Sequence, residues 1–332
     1  MKAAYLETTG APEVIQYGDL PTPEPKAGEV RVKIGAASLN PIDTYVRSGM
    51  VAMALPKPFI PGCDLAGVID KVGPDVKRFK VGDRVWGSNQ GLLGRQGTFA
   101  EYGCVQEDFL YPTPKNVNDE EAAAVALVGI TAHLGLFHCA HLQAGETVFV
   151  NGGTGGVGSL VIQMARAVGA QAITTVGSPE KAELAKKLGA NGVINYKSED
   201  VVAKVKEITG GKGVNVWYET QPPADFDKTI ECMASRGRII VMAGRGARPV
   251  FPNGPFYVKG LSMHGFAMFN MTLDEQRQCA DDMNRWLAEN KLRALIGKRL
   301  TFQEAAAAHQ LQEENTAKKA GTLSGKIVLV PG

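Results

Sequence analysis

The chain is 332 residues long, with 36 Lys and Arg against 34 Asp and Glu and a net charge of +2. That length suits two domains with ample cores, and the balanced charge, with no long basic run, argues against dedicated nucleic-acid binding. The five cysteines (Cys63, Cys104, Cys139, Cys232, Cys279) are far apart with no C-x-x-C, which excludes a disulfide framework and a cysteine-built zinc site.

Met1 to Glu7 lacks a signal-peptide core, so a cytoplasmic protein is expected. Residues 1 to about 126 read as short strands between Gly and Pro. Glu29–Ile34 alternates with period two, and Leu65–Val72 and Gly82–Trp86 are further strands. Strands without intervening helices predict a small twisted barrel. Asn118-Asp119-Glu120-Glu121 looks like a helix start, with an N-cap residue and acids in the first turn. The apolar run that follows, Ala122 to Phe137, is short and interrupted by Gly129, Thr131 and His133, so it predicts a helix to about Ala140 and no membrane span.

The strand Thr147–Val150 then meets Asn151-Gly152-Gly153-Thr154-Gly155-Gly156-Val157-Gly158, and Ser159–Gly169 continues as a helix with a glycine cap. Gly153, Gly155 and Gly158 fit G-x-G-x-x-G in strand–turn–helix context, the fingerprint of a dinucleotide site. Glycines let the backbone approach a pyrophosphate, whose charge the N–H groups at the helix start hold. The next strand, Gln171–Val176, ends in Gly177 and Ser178, where an NAD site places Asp or Glu for the ribose hydroxyl. Ser178 as N-cap, Pro179 at the first helical position and Lys181 favour a 2′-phosphate, opposed only by Glu180. NADPH is the expected cofactor.

Strand and helix keep alternating: strand Asn191–Tyr196, helix Glu199–Thr209, strand Gly213–Tyr218, helix Asp225–Met233, strand Gly237–Ala243. This is the pattern of a doubly wound parallel sheet. Tyr257–Asn270 reads as a last strand and Leu273–Leu292 as a long helix. Thr301 opens a capped helix, and Gly325–Val330 is a strand expected to return to the first domain.

Asn40-Pro41-Ile42-Asp43-Thr44-Tyr45-Val46-Arg47-Ser48-Gly49, the glycine turn, Lys181 with Leu188-Gly189-Ala190, Asn195-Tyr196 and the ending Gly325-Lys326-Ile327-Val328-Leu329 together carry a family resemblance over essentially the full length. The chain resembles the quinone oxidoreductase (zeta-crystallin-like) branch of the zinc-independent medium-chain dehydrogenases/reductases. The resemblance implies an α/β protein with a GroES-like β-barrel catalytic domain (1–126 and 296–332) and a Rossmann domain (127–295), with NADPH in the cleft. It implies that Ser178, Lys181 and Tyr196 hold the 2′-phosphate, that Val128 and Thr131 lie near the nicotinamide, and that Ala243 and Gly244 end a strand at the cofactor edge. Gly156, Val157, Thr154 and Gly177 belong to the same cofactor contour. A homodimer formed by edge pairing of Tyr257–Asn270 is also implied.

Zinc-dependent relatives place a cysteine where this chain has Asn40, a histidine where it has Cys63, and a ligand near Leu127. Cys63 and Asp64 lack two further ligands, and of His133, His138 and His141 only the last two share a helical face, so no metal is expected. A quinone or enone delocalises incoming negative charge, so a few hydrogen bonds suffice in place of a Lewis acid. Asn40 and Tyr45, beside the nicotinamide by resemblance, are the candidate donors. Asp43 and Arg47 are expected to pair and fix their loop. After Gly49 the family often carries an aromatic residue, but here Met50–Leu55 is aliphatic; Tyr111, Phe256 and Phe266 are candidates to restore aromatic surface.

The expected activity is NADPH-dependent, zinc-independent reduction of a quinone or an α,β-unsaturated carbonyl compound, with a small molecule as partner. The alternatives are a 2-enoyl thioester reductase, with Arg245, Arg248 or Lys259 meeting the carrier, and a crystallin-like or RNA-binding protein that holds NADPH.

Overall fold

A computed structural model describes all 332 residues and divides into two compact units. Unit 1 contains Met1–Leu127, Ala280–Ala288 and Arg293–Gly332; unit 2 contains Val128–Cys279 and Glu289–Leu292.

In unit 1, strands β1 (Lys2–Tyr5) and β2 (Gln16–Asp19) pair antiparallel. Strand β3 (Glu29–Leu39) is followed by helix α1 (Pro41–Ser48) and strands β4 (Asp64–Val72), β5 (Arg84–Gly87), β6 (Tyr102–Gln106) and β7 (Leu110–Pro112). Helix α2 (Asp119–His133) carries the chain out of unit 1 after Leu127.

Unit 2 begins within α2, which continues as a π-helical turn over Leu134–Cys139. Then come β8 (Thr147–Val150), α3 (Gly156–Ala167), β9 (Gln171–Val176), α4 (Pro179–Leu188), β10 (Gly192–Asn195) and α5 (Val201–Ile208). Strand β11 (Val214–Glu219), α6 (Phe226–Cys232), β12 (Met233–Val241), α7 (Asn253–Val258), β13 (Ser262–Gly265) and the start of α8 (Leu273–Ala288) complete it. Strand β14 (Ile296–Thr301), α9 (Ala305–Thr316) and β15 (Lys326–Val330) then return to unit 1.

The unit 1 sheet runs β14-β15-β3-β4-β5-β7, with β6 also on β3. The β3–β4 pairing shifts register twice, with Asp70 the extra residue on β4 and Gly35 the extra residue on β3, and β3 also pairs with β6 and β15. Its inward residues Val30, Val32, Ile34, Ala37 and Leu39 meet Leu65, Ile69, Phe99, Ile327 and Leu329 in one core. The tail joins the first unit, because Ile327–Leu329 pair with Leu39–Ala37.

The unit 2 sheet is fully parallel, in the order β10-β9-β8-β11-β12-β13. Its order reverses between β8 and β11, and such a switch point leaves a crevice at the carboxyl ends of those strands.

Several elements differ from the sequence reading. Helix α2 with its π turn spans 21 residues, long and apolar enough to cross a bilayer, yet 78% of its most apolar 18 residues are buried inside the protein. The stretch 257–270 is mostly not a strand. Asn253–Val258 is helical, Gly260 turns with φ +60°, and only Ser262–Gly265 pairs with β12. Helix α8 stops at Ala288 because Asn290 adopts a left-handed conformation. Its C-terminal part, Ala280–Ala288, groups with unit 1 rather than with the domain bounded at 295, since Asn284 accepts the Trp86 indole N–H at 3.0 Å and donates to the Pro112 carbonyl at 3.0 Å.

Candidate active site

The nucleotide end of unit 2 is built at the switch point. Strand β8 delivers Asn151 into a tight turn in which Gly152 has φ +79°. A Cβ on Gly153 would lie 2.1 Å from Thr174 Oγ1, and one on Gly158 would lie 2.3 Å from the Gly152 carbonyl. Those two glycines are therefore demanded by the protein's own packing. At Gly155 an added Cβ would lie 3.3 Å from the Gly152 carbonyl, closer than an ordinary contact, so glycine there also keeps the turn tight. That side-chain-free turn leads into the N-terminus of α3, formed by Gly156, Val157 and Gly158, whose N–H groups fit a pyrophosphate. Thr154 is buried beside it.

A polar network that the sequence reading missed holds this turn. Glu219, buried at the end of β11, accepts from Asn151 Nδ2 at 3.1 Å, Trp217 Nε1 at 3.1 Å and the Gln221 backbone N–H at 2.7 Å. Thr175 Oγ1 donates to Asn151 Oδ1 at 2.6 Å and accepts from the Gly152 N–H at 3.0 Å. Burial pushes the Glu219 carboxyl up, while its three donors pull it back. The signal was present as polar residues ending three adjacent strands, but each looked like a solvated strand end.

The end of β9 presents Gly177 and Ser178. Ser178 caps α4, accepting from the Lys181 backbone N–H at 3.3 Å. Tyr196, 55% exposed, stands over Gly177, where an added Cβ would approach its hydroxyl to 2.7 Å. Partial burial, and then repulsion from Lys197, lower the Lys181 ammonium below its usual range. Lys197 is a second residue the sequence reading missed, although it directly follows Tyr196. Glu180 is fully solvated, and the Ser178 side chain bonds to it and lowers its carboxyl. Two mutually repelling ammonium groups beside a capped helix start make a site for an anion.

Val128 and Thr131 are buried, and the Thr131 carbonyl accepts the Tyr218 hydroxyl at 2.7 Å. Gly135 admits the Tyr218 ring, which lies 2.4 Å from where its Cβ would be, and the helix widens into its π turn there. Ala243 and Gly244 do not end a strand. Strand β12 stops at Val241, and Gly244 turns with φ +87° against Pro222.

In unit 1, Asn40 and Asp43 form a reciprocal cap on α1, and Asp43 accepts the Asn40 backbone N–H at 2.7 Å. Asn40 is fully buried and its side chain is spent. Nδ2 donates to Asp64 Oδ2 at 2.8 Å and toward the Ser38 carbonyl at 3.4 Å, and Oδ1 accepts from Lys326 Nζ. As a donor to substrate, Asn40 is therefore corrected to a residue that shapes the loop. Tyr45, on the same helix, is only partly buried. Burial alone raises its phenol, so it stays protonated and able to donate.

Asp43 and Arg47 do not pair. Asp43 bonds to the Cys63 thiol, and burial pushes its carboxyl up to about 7. Arg47 reaches Glu313 and the Gly10 carbonyl, tying α1 to α9. Met50 is 63% exposed after α1. Tyr111 packs tilted against Trp86 at 4.8 Å and Phe256 packs on Phe251 at 4.9 Å, so both serve their own cores. Lys259 is also occupied, donating to the carbonyls of Ile230 at 2.6 Å and Met233 at 2.8 Å, whereas Arg245 and Arg248 are exposed.

Residues 26–115 match the alcohol dehydrogenase GroES-like domain and 156–289 the zinc-binding dehydrogenase family. The chain is 36% identical to a quinone oxidoreductase of Pseudomonas aeruginosa (97% of each chain) and 33% identical to that of Sus scrofa (93% of each). Among solved structures it is similar to an NAD-dependent alcohol dehydrogenase (34% identity, TM-score 0.87, 100% of both chains). It is also similar to the Escherichia coli quinone oxidoreductase complexed with NADPH (29% identity, TM-score 0.87, 100% of both chains).

The residues present do not fit the zinc that the second family's description names. No group of three or more His, Cys, Asp or Glu side chains is arranged to hold a metal ion. His138 pairs with Glu275 at 2.8 Å, while His141 lies past the helix with φ +47°. The Lys326 ammonium, 4.0 Å from Asp64, already supplies a cation beside Asn40. With both domains matched in order and full-length relatives above 30% identity, the chain belongs to the quinone oxidoreductase family of the medium-chain dehydrogenases/reductases.

Proposed function

We propose that this enzyme is an NADPH-dependent reductase of quinones or α,β-unsaturated carbonyl compounds. The observation that carries the cofactor choice is the end of β9, where Ser178, Lys181, Lys197 and Tyr196 surround Gly177 and no carboxylate closes the strand. The NADPH in the E. coli quinone oxidoreductase structure supports the same reading. Gly155 and the start of α3 receive the pyrophosphate; Ser178, Lys181 and Tyr196 receive the 2′-phosphate; Val128, Thr131, Ala243 and Gly244 face the nicotinamide end. Bound NADPH supplies the hydride. Tyr45 donates a hydrogen bond to the oxygen that gains charge, and Asn40 holds the start of the helix that carries it. The edge strand β13 further leads us to propose a homodimer.

The test is loss of reduced-nicotinamide absorbance with NADPH or NADH against a small quinone, an enal and an enoyl thioester, with chelator present. Chelator-insensitive turnover selective for NADPH is the expected result. Lys181→Glu is expected to raise the NADPH dissociation constant on the order of ten- to a hundredfold, the worth of a charged hydrogen bond, and to leave NADH within about twofold. Equal losses for both cofactors would overturn the phosphate assignment. Turnover of the thioester alone would move the assignment to the enoyl thioester class.

A further inference from the structure

The buried centre of unit 1 holds an ion pair that the hydride chemistry does not use. Lys326, on β15, is 5% exposed and Asp64, at the start of β4, is 0% exposed. The Lys326 ammonium donates to the Leu39 carbonyl at 2.7 Å and to Asn40 Oδ1, and lies 4.0 Å from Asp64 Oδ2. The Asp64 carboxylate accepts four donors: Ser38 Oγ at 2.9 Å, Asn40 Nδ2 at 2.8 Å, Ser88 Oγ at 2.7 Å and the Leu127 backbone N–H at 3.2 Å. These donors come from β3, the cap of α1, the segment after β5 and the middle of α2. Asp43 and the Cys63 thiol also face the ammonium. Burial disfavours either charge alone; four donors on the carboxylate and the adjacent ammonium hold the pair together.

By the family resemblance, zinc-dependent relatives place metal ligands at Asn40, at Cys63 (the residue before Asp64) and near Leu127. A metal there would be both a Lewis acid and a mechanical tie. This chain lacks the ligand set but retains a tie made of other bonds.

We propose that Lys326 and Asp64 form a positioning pair, which fixes the rotamer of Asn40, the origin of α1 and Leu127 of α2 in the places a metal ion would otherwise bind together. Tyr45 rides on α1, so the pair sets where the donor begins. The consequence for turnover rests on the reductase reading above. The tie itself does not.

The experiment compares wild type, Lys326→Met, Asp64→Asn and the double variant at a temperature where all are folded. It measures kcat, KM for a small quinone, NADPH affinity by cofactor fluorescence, and thermal midpoint. Each single variant leaves one buried charge uncompensated. It is expected to lose kcat on the order of ten- to a hundredfold, as displaced reacting groups do, with NADPH affinity within about twofold because the glycine turn is untouched. The double variant, of nearly unchanged shape and without either charge, is expected to regain kcat to within about tenfold of wild type and a higher thermal midpoint than either single variant. Singles that turn over like wild type, or a double variant as slow as the product of the two singles, would overturn the pair. Should one single variant fail to fold, the double variant against the remaining single still decides. If the wild type reduces no quinone, the functional reading fails, while the order of the four thermal midpoints still reports on the tie.

Discussion

His309 shows how a single buried residue links fold to pH. It is fully buried beneath Phe99, with ring centroids 6.0 Å apart, and neither ring nitrogen has a hydrogen-bond partner. Burial, then the Arg47 charge, pushes its imidazole down to about 3 from the usual 6.5. The folded state keeps it neutral while the unfolded chain protonates it below 6.5, so stability is present above that pH and is lost as pH falls toward 3. From pH 6.5 to 5 the loss is roughly 1.5 kcal/mol, before most carboxylates titrate. Asp43, raised to about 7, takes up its proton in the folded state over the same window and opposes this loss in both proteins, so the test is the difference. The urea midpoint of His309→Leu is expected to rise relative to wild type as pH falls from 6.5 to 5, and parallel slopes would refute the link. Nothing in Ala308-His309-Gln310 announced this burial, since a helical histidine is as readily solvated. The same limit applied to Asn40 and Arg47. Their residue types suggested bonding partners, but only folding brought Lys326 and Glu313 to them from nearly 270 or more positions away.

At the scale of elements, the end of β11 governs the dinucleotide turn. Glu219 receives donors from its own strand, from the turn after β8 and from the loop that follows it. Glu219→Ala orphans those donors and is expected to destabilise the protein by about 2–4 kcal/mol. It is also expected to weaken NADPH roughly tenfold, since the cradle must then be ordered on binding. Calorimetry and a fluorescence titration at a temperature where the variant is folded check the two effects. A large stability loss with wild-type affinity would show that the network braces the sheet but not the turn. The glycine turn itself was legible in sequence because its steric demands are local. Its brace was not, because Asn151, Thr175 and Glu219 become neighbours only when β8, β9 and β11 lie side by side.

For the whole molecule, one group of exposed apolar residues in unit 2 lies at the β13 edge of the sheet. Tyr257 and Val258 on α7 and Met263 on β13 are 68%, 74% and 43% exposed, beside a strand with one edge unpaired. Such an edge pairs readily with a second copy, so light scattering is expected to give about twice the chain mass, and Val258→Glu to shift it toward one chain. A wild-type monomer would remove the idea. The sequence by itself determined the two architectures, the parallel sheet and its glycine turn, and the absence of an acid after β9, because periodicity, glycine sterics and capping act over a few residues. Only the tertiary structure decided which polar groups are spent and which remain to act. Asn40 is consumed by Asp64 and Lys326, Lys259 by helix carbonyls, and Tyr45 keeps its hydroxyl. A buried hydrogen bond is a property of two segments that meet, and the chain does not carry that meeting in either segment alone.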